Sequence, residues 1–587
     1  MARPTSLPHH APEDLRRRLR EELSHARAQA RHDLLPWIAS GAVEPALDHL
    51  LFFSEPGAMD DALPGLLTRV QQAFATATPE GQRHLLRFCA ELSLRMFSQL
   101  PAWNLSNAAL HPSSALGPGE IARAAGEALT LANVLAKDSP PAADALLEAY
   151  RVEASARCRA EGAEDPDGEA LRLVGRSVTE YVEATAHGVA ASNLGRIARM
   201  RQAGATRTEI SNDYAAFLPH ALLLGASFVT CNPPLVDLAW KAAPAKWDPV
   251  VDGLLAAHRK ADGDTLARLV TLEIVLANMR RLRPIFLLTE GRMGCVSLQV
   301  NPKRHDDAET MLRDAGALYA ELERRLDGGV PNVVFKLPGT QAGLEACRAL
   351  TASGIGVTIT LNFGLFQHLP FAEAISSGQA LYSTLAHMSG RLAFPVRDEL
   401  LGKMGELEGQ GFSEGQVRLA AAWSGVAVLK RLQRCLAARQ VDPGRVKPLI
   451  ASLRVYTEEA YAGLPSPIPD ITEVLGVGIL TVFPNVRRAF DRLPLVPLDG
   501  QSIETPVPEE VFSVLRHSEV FKQAHWLGPL AAPGEADPAD LLPAHPLALA
   551  SRSATSGWTP VANTLNEFCK AYDSFVDRIQ ARRPRLG

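Results

Sequence analysis

Val333-Val334-Phe335-Lys336-Leu337-Pro338-Gly339-Thr340 is a short apolar run that carries one lysine and closes on a Pro-Gly turn signal. Apolar side chains at alternate positions on both faces describe a strand buried on both sides, as in a parallel sheet. A lysine inside such a strand is desolvated, which disfavours its ammonium form and lowers its pKa. A neutral amine is the form that attacks a ketone. A strand-end lysine can also snorkel to solvent past Pro338-Gly339. Lys336 therefore gains meaning only from the groups that accompany it.

Working outward, seven more runs of the same kind alternate with helical stretches. They are Glu209–Asp213, Ala226–Asn232, Gly294–Val300, Gly356–Leu361, Ala380–Leu385, Pro448–Leu453 and Gly478–Phe483. Segments such as Asp306–Leu326 and Thr340–Ser353 are long enough for crossover helices. Eight such units predict a (β/α)8 TIM barrel. A doubly wound open sheet is the alternative, but it calls for a glycine-rich phosphate loop after its first strand, and no GxGxxG or GxxxxGK[ST] occurs.

Before the barrel the pattern is helical, through Glu13–Asp33, Gly81–Gln99, Pro118–Ala136 and Gly168–Arg201, with a Pro- and Ser-bearing loop at Ala108–Gly117. The expected organisation is an all-α N-terminal domain over 1–165, an α/β barrel over 166–495 and a C-terminal extension over 496–587. That extension begins Pro-rich and ends in an amphipathic helix, Thr559–Arg583, whose Phe568, Tyr572 and Phe575 are expected to pack on the barrel.

A chain of 587 residues with 47% hydrophobic residues can bury a large core. Its net charge of −5 gives no electrostatic reason to expect nucleic acid as a partner. The seven cysteines form no CxxC pair and no Cys/His cluster with zinc spacing, so no metal is expected and a reducing compartment is. Met1 to Arg20 has no apolar core of a signal peptide, and no run of about 18 apolar residues predicts a membrane span. A cytoplasmic location is the resulting expectation.

Barrel enzymes place chemistry at the C-terminal ends of their strands. In strand order, the polar residues there are Asp213, then Thr230 and Asn232, Gln299, Lys336, and Thr360 with Asn362. Ser383 and Arg391 come near the sixth strand, and Ser452 and Arg454 at the seventh.

With these residues in order, the chain resembles the transaldolase family of class I Schiff-base aldolases, as an enlarged and divergent member. Val333–Thr340 followed by Thr358-Ile359-Thr360-Leu361-Asn362-Phe363 resembles the family's lysine strand and the strand after it. Val229-Thr230-Cys231-Asn232-Pro233 is similar to its second-strand motif, Val296-Ser297-Leu298-Gln299-Val300 to its third strand and Ala451-Ser452-Leu453-Arg454 to its seventh. The resemblance covers about 205 to 490 and the final helix.

It implies that Lys336 forms a Schiff base with a ketose phosphate and that Asp213 is the general acid/base in carbon–carbon cleavage. It further implies that Asn232 binds substrate hydroxyls, that Thr360 positions a water, and that Arg454, Arg391 and Ser452 hold the phosphate, a task suited to the planar guanidinium. Transfer of a dihydroxyacetone unit in carbohydrate metabolism of the pentose-phosphate kind follows, with no cofactor, since the lysine is the electron sink.

The sequence departs from the pattern at Gln299, where transaldolases carry glutamate and the fructose-phosphate aldolase branch glutamine. An amide holds a water but supplies no charge. That branch also has a sixth-strand tyrosine, where this chain offers Leu385, with Tyr382 and His387 nearby. Simple aldol cleavage, or a silent sugar-phosphate-binding barrel, therefore stand as alternatives. The extra length before the barrel and at Glu399–Arg445 leaves a cap, a homo-oligomer interface or a partner site open.

Overall fold

The computed structural model describes residues 7, 9–29, 33–551 and 553–583. The end of the expected first helix, over 30–32, lies outside them. Eight parallel strands pair in sequence order and close into a barrel. They are β1 (Glu209–Asn212), β2 (Ala226–Thr230), β3 (Val296–Gln299), β4 (Val333–Pro338), β5 (Gly356–Asn362), β6 (Ser383–Met388), β7 (Val446–Ala451) and β8 (Ile479–Val482). Closure is made by β1 on β8, where Glu209 to Asn212 run beside Ile479 to Val482.

The two faces of each strand divide the apolar surface. Val333, Phe335 and Leu337 of β4 belong to the main cluster that packs strands against the surrounding helices. Val334 instead meets Phe228, Leu449 and Ile479 from strands across the barrel. Lys336, two residues on, shares that inward face by the strand's period of two.

The N-terminal end of the barrel is plugged. Leu15 and Leu19 of the helix Pro12–Gln29 enter the same interior cluster as Phe228, Val334 and Leu449. Arg283 fastens that helix by donating to Glu22 at 2.6 Å, and it also reaches Asn332 at 3.4 Å. In the same end of the barrel the buried pair Lys447–Glu209 accepts further support from Ser227 Oγ, which donates to Glu209 at 3.1 Å. An unpaired charge in this place would be costly, and the pairing offsets part of that cost.

The helical layer differs from expectation at two places. The segment expected as one helix over Gly168–Arg201 is three: Pro166–Val174, Val178–Ala191 and Asn193–Gln202. Gly175 takes a positive φ of 69°, and Ser177 and Ser192 cap the next helices by accepting from Glu180 N and Gly195 N. The apolar cluster of the helical layer also includes Ala170, Val174, Val178 and Val182, so its core runs past the boundary expected at 165. At the other end of the chain, Phe568, Tyr572 and Phe575 of the helix Thr559–Arg582 are buried. No helix among the described residues is long and apolar enough to cross a membrane.

The sixth strand begins three residues later than the sequence pattern suggests, its ladder with β7 starting at Ser383 opposite Val446. Tyr382 lies below that start, with Lys447 Nζ 4.5 Å from its ring centre.

Leu19 is fully buried in the plug. Leu19→Ala should destabilise the chain by about 2 to 5 kcal/mol through transfer loss and cavity formation. Urea denaturation followed by circular dichroism measures this, and a change below about 1 kcal/mol would mean that the helix is only loosely seated.

Candidate active site

Lys336 projects into the upper part of the barrel, 7% exposed. Burial lowers its pKa, and the Asp213 carboxylate opposes the shift. Asp213 stands just past β1, its amide donating to Val482 O at 3.1 Å. Burial raises its pKa, against the pull of Lys336 and a hydrogen bond from Thr230. Both groups are thus displaced toward their neutral forms by the same dry environment, while each charge favours the other's ionised form.

A run of hydroxyls holds the aspartate in place. Thr230 Oγ1 donates to Asp213 Oδ1 and lies 2.9 Å from Thr481 Oγ1, which donates to Ser211 at 3.0 Å. These residues line successive inner positions of β1, β2 and β8. Asn212 secures the loop beyond, donating to Tyr214 O at 2.6 Å and Ala216 O at 3.1 Å.

Gln299 pairs with Lys336 across the β3–β4 ladder. Its Oε1 is buried without a hydrogen-bond partner. A buried orphan acceptor costs about 1 to 3 kcal/mol, so it is a position for a donor from solvent or substrate. Thr360 lines the same small pocket as Gln299 and Lys336, and its hydroxyl points to Met388 Sδ at 3.6 Å. Phe568 of the C-terminal helix roofs the pocket, its ring centre 5.9 Å from Lys336 Nζ.

The tips of β4 and β5 meet closely. Gly339 donates to Thr360 O at 2.6 Å, and a Cβ on Gly339 would come 2.9 Å from Leu361 O. The buried Gln367 clamps both tips by donating to Gly339 O and Leu361 O, each at 2.8 Å. Leu361 itself has a φ of +55°, and the ladder slips between Ile359 and Asn362. Such strain persists only where the surroundings over-determine it.

Two arginines reach the rim. Arg391 pairs with Glu567 of the C-terminal helix and lies 5.7 Å from the Phe568 ring centre. Arg454 follows Ser452, whose φ is +59°, and its Nε is buried without a partner. Burial and the nearby Arg391 lower the Arg454 pKa. Asp470 accepts from Arg454 N at 2.9 Å and from Ser389 Oγ at 2.5 Å, tying the two rim segments together. Burial pushes the pKa of this carboxyl up to about 6. A Cβ on Gly390 would stand 2.4 Å from both Arg454 Cγ and Ser452 O, so the rim closes only around glycine.

Lys336, Asp213, Thr230, Gln299 and Thr360 thus meet around the barrel axis, with Arg391, Ser452 and Arg454 at the rim. Asn232 flanks them, its side-chain oxygen capping a helix by accepting from Leu235 N at 3.0 Å.

Two expected members are displaced. Ser383 opens β6 at the N-terminal end, where its hydroxyl accepts from Val357 N at 3.1 Å, at the opposite end of the barrel from Arg391 and Arg454. The cause is the shifted start of β6. Asn362 pairs with His387 after the slip in β5. His387 faces the outer helices, at 3.2 Å from His368 and 2.9 Å from Gly425 O, so Asn362 is turned away from the pocket. Leu385 also faces outward, in the main cluster, whereas Met388 at the tip of β6 reaches Thr360 Oγ1 with its Sδ. Sequence reasoning did not select Met388, Gln367, Asp470 or Glu567. Gly390 beside Arg391 is a signal for close approach, but its partner becomes visible only in three dimensions.

The transaldolase/fructose-6-phosphate aldolase family matches residues 210–503. The chain belongs to this family. The match holds the strand-end residues from Asp213 to Arg454 and leaves out the helical layer and the last helix. A transaldolase 1 of Streptomyces avermitilis is 30% identical over 36% of this chain and 55% of its own length. Transaldolases of Thermobifida fusca, 28% identical over 44% of this chain and 69% of its own, and of Parafrankia, 29% identical over 49% and 77%, are similarly related. The chain therefore spans little more than half the length of the first of these relatives and more of the others.

Gly390→Val should push aside both Arg454 and the Ser452 backbone just beyond the end of the β6–β7 ladder. Calorimetric titration with inorganic phosphate, an anion probe for the rim arginines, should show about tenfold weaker binding, the loss expected for one charge-assisted contact. Unchanged binding would remove Arg454 from the site.

Proposed function

We propose that the protein is a class I aldolase of the transaldolase kind, which acts on a ketose phosphate through a Schiff base on Lys336. The observation that carries this reading is a buried lysine with a depressed pKa facing a buried aspartate inside a barrel of this family. The relatives named transaldolase support the same class.

In this reading the neutral amine adds to the ketose carbonyl, and loss of water gives the imine. Asp213 takes the proton of the hydroxyl on carbon four as the bond between carbons three and four breaks. The electron pair enters the imine as an enamine, so no further electron sink is needed. Protonation and hydrolysis release dihydroxyacetone, or the enamine adds to an aldehyde acceptor. Thr360 and the unpartnered Gln299 Oε1 hold the water for imine exchange. Arg454 and Arg391 receive the phosphate, which exchanges with the Glu567 carboxylate on Arg391.

Gln299 favours cleavage as the second reading, because an amide adds no negative charge to that water. A ketose phosphate incubated with and without an aldose phosphate separates the two. A new, longer ketose phosphate marks transfer, whereas release of dihydroxyacetone alone marks cleavage.

Borohydride reduction in the presence of a ketose phosphate should place a stable adduct on Lys336, seen by peptide mass spectrometry and lost in Lys336→Met. Absence of an adduct with several ketoses refutes the reading.

The Asp213 carboxylate raises the Lys336 pKa against burial. Asp213→Asn removes the largest effect opposing burial, so the amine is freed at lower pH. The midpoint of the pH dependence of adduct trapping should therefore move down in this variant. A midpoint that stays or rises would separate the two groups electrostatically.

A further inference from the structure

Between the helical layer and the outside of the barrel lies a second cavity of about 490 Å³. It is of a size that holds a small organic ligand. It is remote from the Lys336 pocket and shares no lining residue with it. Its walls combine apolar surface with a group of hydrogen-bond donors that the protein itself does not satisfy.

His220, in the segment after β1, stands between two guanidiniums. Arg157 Nη1 faces its Nδ1, and Arg487 Nη1 lies 2.6 Å from its Nε2. A neutral imidazole has one acceptor nitrogen. One of the two arginines therefore points an N–H at a ring N–H and lacks an acceptor. Protonation offers no relief, because burial and the two cations drive the imidazolium form down. Arg157 and Arg487 share one carboxylate, Glu161, which Arg157 approaches only to 3.6 Å. Arg157 Nε is itself buried without a hydrogen-bond partner.

The stacked pair Tyr150–Tyr181, with ring centres 4.1 Å apart and planes 19° from parallel, lines the same cavity. Tyr150 is 6% exposed, and its hydroxyl has no partner. Each orphan donor in a buried place costs about 1 to 3 kcal/mol until an acceptor arrives. A ligand that satisfies them must be rich in acceptors and negatively charged where it meets Arg157 and Arg487. It must also carry a flat or apolar body for the tyrosine wall.

We propose that this cavity is a binding site for a small phosphate monoester with a flat apolar body, distinct from the barrel mouth. Phosphate suits the arginine pair because its oxygens accept from two guanidiniums at once. The ring of such a ligand fits along Tyr150 and Tyr181.

The test uses the full chain carrying Arg454→Ala, which weakens phosphate binding at the barrel mouth. Phenyl phosphate is titrated by calorimetry, with inorganic phosphate as competitor. One saturable site is expected, competed by phosphate and weakened about tenfold by adding Arg157→Ala. Tyr150→Phe keeps the ring and removes only the hydroxyl. It should weaken binding several-fold, and it carries the test if Arg157→Ala does not fold. Absence of saturable binding, or binding that neither substitution changes, overturns the proposal. Because Lys336 is untouched, the result is independent of whether the barrel forms an imine.

Discussion

Lys336 and Asp213 are buried together at the centre of the barrel, each within the electrostatic reach of the other. Burial disfavours both charges, and each charge partly restores the other. Burial favours the neutral amine of Lys336, and the Asp213 carboxylate opposes that shift. That burial depends on closure at both ends. Leu15 and Leu19 plug the bottom, and Phe568 roofs the top. Neither closing helix lies within the part of the chain matched by the family. Helices outside the matched segment thus help set the electrostatics of Lys336 and Asp213.

The rim is built by close approach and not by long side chains alone. Gly339 lets β4 and β5 touch, and Gly390 lets the segment after β6 touch the segment after β7. Leu361 and Ser452 hold positive φ at the same rim. Glycine removes a Cβ where two backbones meet, and the strained non-glycine residues are held by surrounding contacts such as the Gln367 clamp. Leu361 stands between two differently paired residues. Thr360 keeps its regular pairing with Pro338, whereas Asn362, past the slip, pairs with His387.

The helical layer does more than lengthen the chain. Its apolar core is separate from that of the barrel. Where the two meet, arginines, acids and tyrosines line a common cavity. Buried polar groups of this kind are retained at a cost in stability. A site that recruits a ligand offsets such a cost, whereas a merely structural contact would be better served by apolar residues.

Much of the barrel was legible from sequence because its physics is local. A strand buried on both faces shows as an apolar run, and Lys336 stands out in one because a charge there is unusual. The order of Asp213, Thr230, Gln299, Lys336, Thr360 and Arg454 along the chain is the order of strands around the barrel, since each strand pairs with the next. Tertiary structure alone decided the rest. The start of β6 depends on where Val446 pairs, so Ser383 fell to the bottom. The side on which Asn362 points depends on a ladder slip that no single strand encodes. Glu567 and Phe568 reach the site from more than two hundred residues beyond Lys336, and Arg157 reaches His220 across two apolar cores. Such contacts are set by packing between distant segments, and periodicity within one segment carries no trace of them.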